Sequence, residues 1–241
     1  MKFMMKLKSI SFNAIRFIVV IILNFIFNYG LVSSQINYNH LKALSDKTEL
    51  LDSLYSGVCF GNQIWMENNL NICVFRNGDT IPQAKTATEW KKFRDAKEPA
   101  WCYYDNCFEY GQIYGRLYNW YAITDKRGLA PTGWHVPTDS EWKNLVEYIG
   151  GFEQASKLLL ESGYSLNKDG ENTINPFNAL AGGGRDFLGN FYYLGGYGIW
   201  WTSTELDLYT AWYYLLSYPD RLLDRYPDYK GFGFSVRCIK D

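Results

Sequence analysis

The sequence predicts an α+β domain carried behind an export leader, and three observations predict it. The amino terminus runs from basic to apolar to small residues. A well-capped helix pattern sits in the middle, and aromatic and β-branched runs fill the final third. Helices early and strands late indicate an antiparallel sheet flanked by helices rather than alternating βαβ units.

The leader comes first. Lys2, Lys6, Lys8 and Arg16 stand without an acidic residue, the apolar run Phe17 to Phe27 follows, and Val32-Ser33-Ser34 closes the segment. These are the three parts of a secretory signal peptide, with cleavage after Ser34. The rival is an uncleaved anchor, which needs about 20 apolar residues; Asn24 and Asn28 interrupt the stretch. No cysteine follows the apolar core, which argues against a lipid-modified terminus. The expected organisation is a signal peptide over 1–34, a short polar lead-in over 35–51 and one domain over 52–241. The expected location is secreted or at the cell surface, with membrane contact only through the export signal. The whole chain carries a net charge of −1 and loses four basic residues with its leader. No cluster of Lys and Arg remains, so a nucleic-acid partner is excluded.

The helix signal is local. Thr138 and Glu141 have the spacing of a capping box, and Trp142, Leu145, Val146 and Ile149 share one apolar face. Gly150-Gly151 supplies the stop. A second helix is expected over Phe152 to Ser162, with Ala155, Leu158 and Leu159 on one side, and a weaker one around Thr88 to Arg94. Strands are expected over Ile199 to Thr204, Tyr209 to Ser217 and Phe232 to Lys240. Trp200 and Trp201 then point to opposite faces of a central strand. Tyr218-Pro219-Asp220 forms a turn. The glycines, including Gly182-Gly183-Gly184 and Gly195-Gly196, imply long ordered loops.

Seven segments in order carry a resemblance: Gly61 to Asn71, Tyr114 to Ile123, Arg127 to Leu145, Ala179 to Gly195, Trp200 to Glu205, Ala211 to Leu216 and Gly233 to Asp241. Together they resemble the Fibrobacter succinogenes major paralogous domain of exported bacterial proteins. That family is similar to the C-type-lectin-like fold and, more distantly, to formylglycine-generating enzymes. The resemblance implies a small twisted antiparallel sheet, two flanking helices, a long loop region and neighbouring chain ends. It carries over neither activity. The tripeptides that hold calcium and sugar in C-type lectins (Glu-Pro-Asn, Gln-Pro-Asp, Trp-Asn-Asp) do not occur, and only Cys238 lies late in the chain.

The chemistry-bearing residues favour recognition over reaction. His135 fits a corner-fixing role, and Asp139 with Glu141 fits the positive end of a helix. Asp139 with Glu141, and Asp186 with Glu205, are the two conceivable carboxylate pairs for a glycan hydrolase. Gly182 to Arg185 lacks the Lys-Ser/Thr of a phosphate loop. No catalytic residue, cofactor or metal is expected. Cys59, Cys73, Cys102, Cys107 and Cys238 include no CxxC pair; Cys102 can join Cys107 or Cys238, and the odd count permits a self-associating surface component. Nine Trp and 20 Tyr exceed what the core requires. Of the tyrosines in or near the loop region, Tyr192, Tyr193, Tyr197, Tyr213, Tyr218 and Tyr226, with Tyr229 beside them, are the candidate ligand contacts, since such rings stack on sugars and anchor protein partners. The expected function is a non-catalytic surface module that binds carbohydrate or protein.

Overall fold

The computed structural model of the chain describes residues 55–160, 165–166, 172–173 and 177–241. The expected leader and lead-in lie outside the described residues. From its start the described chain alternates short strands with short helices. Strand β1 (Gly57–Phe60) and β2 (Gln63–Met66) form a hairpin. Helix α1 (Ala87–Ala96) opens on a capping box of Thr86 and Glu89. Then come β3 (Trp101–Cys102), a 3₁₀ turn over Tyr104–Asn106, α2 (Phe108–Tyr114), β4 (Leu117–Asn119), α3 (Trp120–Ile123) and β5 (Trp134–His135).

Helix α4 (Asp139–Ile149) starts where the sequence places it. The Thr138 side chain accepts from Glu141 N, Glu141 answers with the reciprocal bond, and Gly150 closes the helix in the left-handed region at φ 107°. Helix α5 (Phe152–Leu160) follows and packs on α4. The small pair β6 (Ser165–Leu166) and β7 (Asn172–Thr173) precedes β8 (Gly184–Arg185) and β9 (Phe191–Tyr192). The longest strands come last: β10 (Tyr197–Glu205), β11 (Thr210–Ser217) and β12 (Leu222–Tyr229), then β13 (Gly233–Phe234) and β14 (Ile239–Lys240).

Every named strand pairs antiparallel with its neighbour. The orders are β1-β2-β14-β5, β3-β4-β13-β8-β9 and the meander β10-β11-β12, beside the pair β6-β7. The chain is therefore mixed α+β with antiparallel sheets. The last strand, β14, lies between β2 and β5. No helix among the described residues is long and apolar enough to cross a membrane.

Three differences from the expectation have physical reasons. The run Phe232 to Lys240 is not one strand but β13 and β14 in two sheets. Between them Ser235 exchanges bonds with Ile199 and Trp201, and Val236 and Cys238 give their carbonyls to Leu70 and Met66. Strand β12 was not expected, because Pro227 and three charged residues, Asp224, Arg225 and Asp228, obscure it. It pairs with β11 alone, and an edge strand tolerates a proline. Helices α2 and α3 are only 7 and 4 residues long, too short for helical periodicity to show.

The meander divides the core. Trp200 packs with Trp65, Trp142, Phe177 and Tyr214, whereas Trp201 packs with Tyr118, Phe234 and Ile199. Adjacent residues of one strand thus fill opposite sides. Trp142 is the hub of its side: it stacks on Tyr214 at 4.7 Å and 14° and meets Trp65 edge-on at 4.8 Å.

Arginine supplies the unusual part of the core. Arg116, Arg185 and Arg237 are each at most 1% exposed, and among the described residues none makes an ion pair with a carboxylate. Each instead lies over rings and donates to neutral oxygens. Arg116 sits 4.1 Å from the Trp101 centroid and donates to Asn71 Oδ1 and the Tyr103 hydroxyl. Arg185 sits between Trp90 and Phe191 and donates to the carbonyls of Ala84 and Gly189. Arg237 lies 4.3 Å from the Phe177 centroid and donates to Glu67 O, Asn69 Oδ1 and Asn178 O. Burial holds the Arg237 guanidinium well below its ordinary value, as a cation away from water should be.

Two substitutions test this packing. Trp142→Ala should cost about 3–5 kcal/mol in urea unfolding; Trp142→Phe should cost much less, because the indole N–H has no partner to lose. Arg237→Lys keeps the charge but loses the planar fork and the ring stack, and should cost at least about 2 kcal/mol in the same assay.

Candidate functional site

The meander has two chemically distinct faces because side chains alternate along each strand. Ile199, Leu215 and Asp224 are register partners in a row, and so are Trp201, Tyr213 and Tyr226. On β12 this face therefore presents Asp224, Tyr226 and Asp228. The intervening Arg225 turns the other way and forms a bidentate pair with Asp139 at the start of α4. One face locks the sheet to a helix. The other borders a cleft of about 380 Å³.

Asp186, Asn190, Tyr192, Tyr193, Ile199, Tyr213, Leu215, Asp228 and Phe232 line that cleft. Its rim is a shaped turn. Asp186 Oδ1 accepts from the amides of Leu188 and Asn190, and Oδ2 accepts from Asn190 Nδ2, each at 2.8 Å. Gly189 in this turn, at φ +94°, lies against Ala87, where a Cβ would come within 2.7 Å of the backbone. Gly183 is similarly confined, its would-be Cβ 2.5 Å from Tyr192 O. The glycine run is a tight backbone passage under the cleft wall. Tyr193 holds a left-handed φ of 67°, a strained choice for an aromatic residue and of the kind found at binding sites.

The rings form perpendicular walls. Tyr192 meets Tyr193 at 4.9 Å and 82°, and Phe232 at 6.4 Å and 84°. Tyr197 packs on Tyr193 at 4.4 Å, and Tyr226 on Tyr213 at 6.1 Å. Burial, reinforced by Asp228, raises the phenols of Tyr192 and Tyr213, so both stay protonated. Burial also raises the Asp228 carboxyl, against a single bond from Tyr229 N to Oδ1. Among the described residues, no Lys, Arg or His lines the cleft.

Of the six tyrosines expected to contact ligand, the structure brings Tyr192, Tyr193 and Tyr213 into the cleft and sets Tyr197 and Tyr226 against them. Tyr218 lies elsewhere: it packs on the Trp200 side of the core and donates to Ala179 O. Tyr226 and Tyr229 lie on β12 rather than in a loop. Sequence reading missed Asn190, Asp228 and Phe232 as lining residues. The alternation Asp224-Tyr226-Asp228 was the available signal, and it required recognising β12 as a strand.

The other candidates have structural occupations. Asp139 pairs with Arg225 and Lys143. Glu141 serves its capping box and His135. Glu205 pairs with Lys230 at 2.8 Å and is not among the residues that line the cleft with Asp186. All five cysteines are free thiols. The pairings Cys102–Cys107 and Cys102–Cys238 are not formed: Cys102 is buried beside Trp90 and Leu117, Cys238 lies in a different core cluster, and Cys107 gives its thiol to Glu109. No group of three or more His, Cys, Asp or Glu that could hold a metal ion occurs among the described residues.

His135 fixes its corner through both ring nitrogens, 2.7 Å from Asp241 Oδ1 and 2.9 Å from Glu141 Oε1. Burial works against its charge, but these two bonds outweigh it and raise the group above 6.5. A raised folded value means that the charged ring stabilises the fold fully below the ordinary value, and that this contribution fades as pH rises through the folded one. His135→Gln should therefore lower stability at pH 5.5 by up to about 1 kcal/mol and change little at pH 9 in urea unfolding, the ring being partly exposed.

Residues 58–240 match the family model described as the Fibrobacter succinogenes major domain, and the chain belongs to that family. No curated protein and no solved structure matches it.

Proposed function

We propose that this member of the Fibrobacter succinogenes major domain family is an exported, non-catalytic module that binds carbohydrate in the tyrosine cleft, at the cell surface or outside the cell. The observation that carries the reading is the cleft itself: tyrosine rings set beside carboxylate and amide groups on a rigid sheet. Tyrosine offers an apolar face for a sugar ring and a hydroxyl for its edge. Asp228 and the Tyr192 and Tyr213 hydroxyls supply acceptors and donors for sugar hydroxyls. Export rests on the basic, apolar and small-residue order of residues 1–34. A C-type-lectin-like arrangement accords with the final strand lying between β2 and β5 and with the long connections around the meander. Calcium has no role in this reading.

A second reading, a glycan hydrolase, draws on one observation. Asp186 and Asp228 line one cleft in unlike settings, the first held by three N–H donors and the second raised by burial. Divided environments of this kind separate an acid from a base. The binding reading is preferred because Asp186 has both oxygens engaged in shaping its turn.

A screen of the full-length chain against polysaccharides, with titration calorimetry on each hit, tests both. Binding should persist in a calcium chelator and weaken about tenfold in Tyr193→Ala, the loss of one stacking ring. Loss of binding in chelator would contradict the proposal. Release of new reducing ends that stops in Asp228→Asn would replace it with the hydrolase.

A further inference from the structure

We infer that the glycan taken by the tyrosine cleft carries free amines, so that a protonated amino group sits among the rings beside Asp228 and Asp186. This rests on the carbohydrate reading and specifies its substrate class.

Three features of the cleft converge on a cation. The first is wall geometry. Tyr193 and Phe232 each stand nearly perpendicular to Tyr192, and all three rings line the cleft. Ring faces are electron-rich, and an aromatic lining attracts an ammonium more than a neutral group.

The second is donor and acceptor balance. Asn190 has given one of its two amide hydrogens to Asp186, which leaves its second N–H and the tyrosine hydroxyls as the side-chain donors of the lining. Against these stand Asp186 and Asp228, and Asp228 Oδ2 accepts no hydrogen bond among the described residues. Sugar hydroxyls need donors and acceptors alike, whereas an ammonium offers donors only. It is the group that such a lining satisfies best.

The third is how charge is sorted across the aromatic wall. Phe187 packs on Phe232 at 5.6 Å and on Tyr229 at 5.8 Å. Beyond that wall lies a second cleft of about 250 Å³, where Arg94, Lys97 and Lys230 sit with Tyr209 and Tyr229. The basic side chains are on that side; on the tyrosine side Asp224, engaged by the Tyr226 hydroxyl, adds a third carboxylate at the margin. A uronic acid would meet only repulsion in the tyrosine cleft. An amine-bearing sugar meets attraction from every charged side chain there.

Calorimetry of the full-length chain with a glucosamine tetramer, an N-acetylglucosamine tetramer and a tetralysine peptide tests the inference. The glucosamine tetramer should bind at least about tenfold tighter than its acetylated counterpart. That preference should shrink as ionic strength rises and disappear in Asp228→Asn, whose thermal melt checks the fold. Should that variant not fold, the salt dependence of the wild-type preference decides. Equal or tighter binding of the acetylated tetramer overturns the amine inference and leaves the carbohydrate reading standing. Binding of tetralysine with neither glycan overturns both, as does binding of none of the three.

Discussion

Buried guanidinium groups are the constraint on which this structure depends. Most strands outside the meander are only two residues long, and ladders of that length cannot fix the loops between them. Arg116, Arg185 and Arg237 take over that task. Each sits on or beside a short strand and reaches carbonyl or amide oxygens of a remote segment: Asn71, Ala84, and Glu67 with Asn69 and Asn178. Burying a charge away from water is costly. Here ring faces and several charge-assisted hydrogen bonds offset the cost, without a carboxylate. The planar fork of arginine makes this possible, and lysine could not copy it.

The same device shapes the cleft. Arg185 holds Gly189 O and so positions the turn in which Asp186 and Asn190 form the rim. On the far side of the meander, the Asp139–Arg225 pair and the Trp142–Tyr214 stack fasten β11 and β12 to α4. The cleft therefore rests on a sheet whose opposite face is locked into the core. For the proposed binding role, groups displayed on such a support would need little reordering, which would lower the cost of binding.

Local signals were legible in the sequence and long-range ones were not. The Thr138–Glu141 capping box and the Gly150 stop placed α4, because a helix start and stop depend on a few neighbouring side chains. Trp200 and Trp201 were correctly set on opposite faces by period-two alternation. The family was legible too, from segments spread along the whole domain. By contrast, the split of Phe232 to Lys240 into two strands depends on where Leu70 and Met66 lie, which neighbouring residues do not encode. The tyrosines were singled out by composition, yet Tyr213 packs on the Trp201 side of the meander and Tyr218 on the Trp200 side, away from the cleft. The pairing of Phe232 and Asp228 with Tyr192 is likewise a product of tertiary contact.

Hydrogen exchange of the native chain, read by mass spectrometry, tests the central claim most directly. If the buried arginines fix the loops, amides in segments 67–71 and 178–185 should exchange as slowly as those of β10 and β11, because they open only with the core. Rapid exchange in those segments beside a protected meander would show that the guanidinium groups do not hold them.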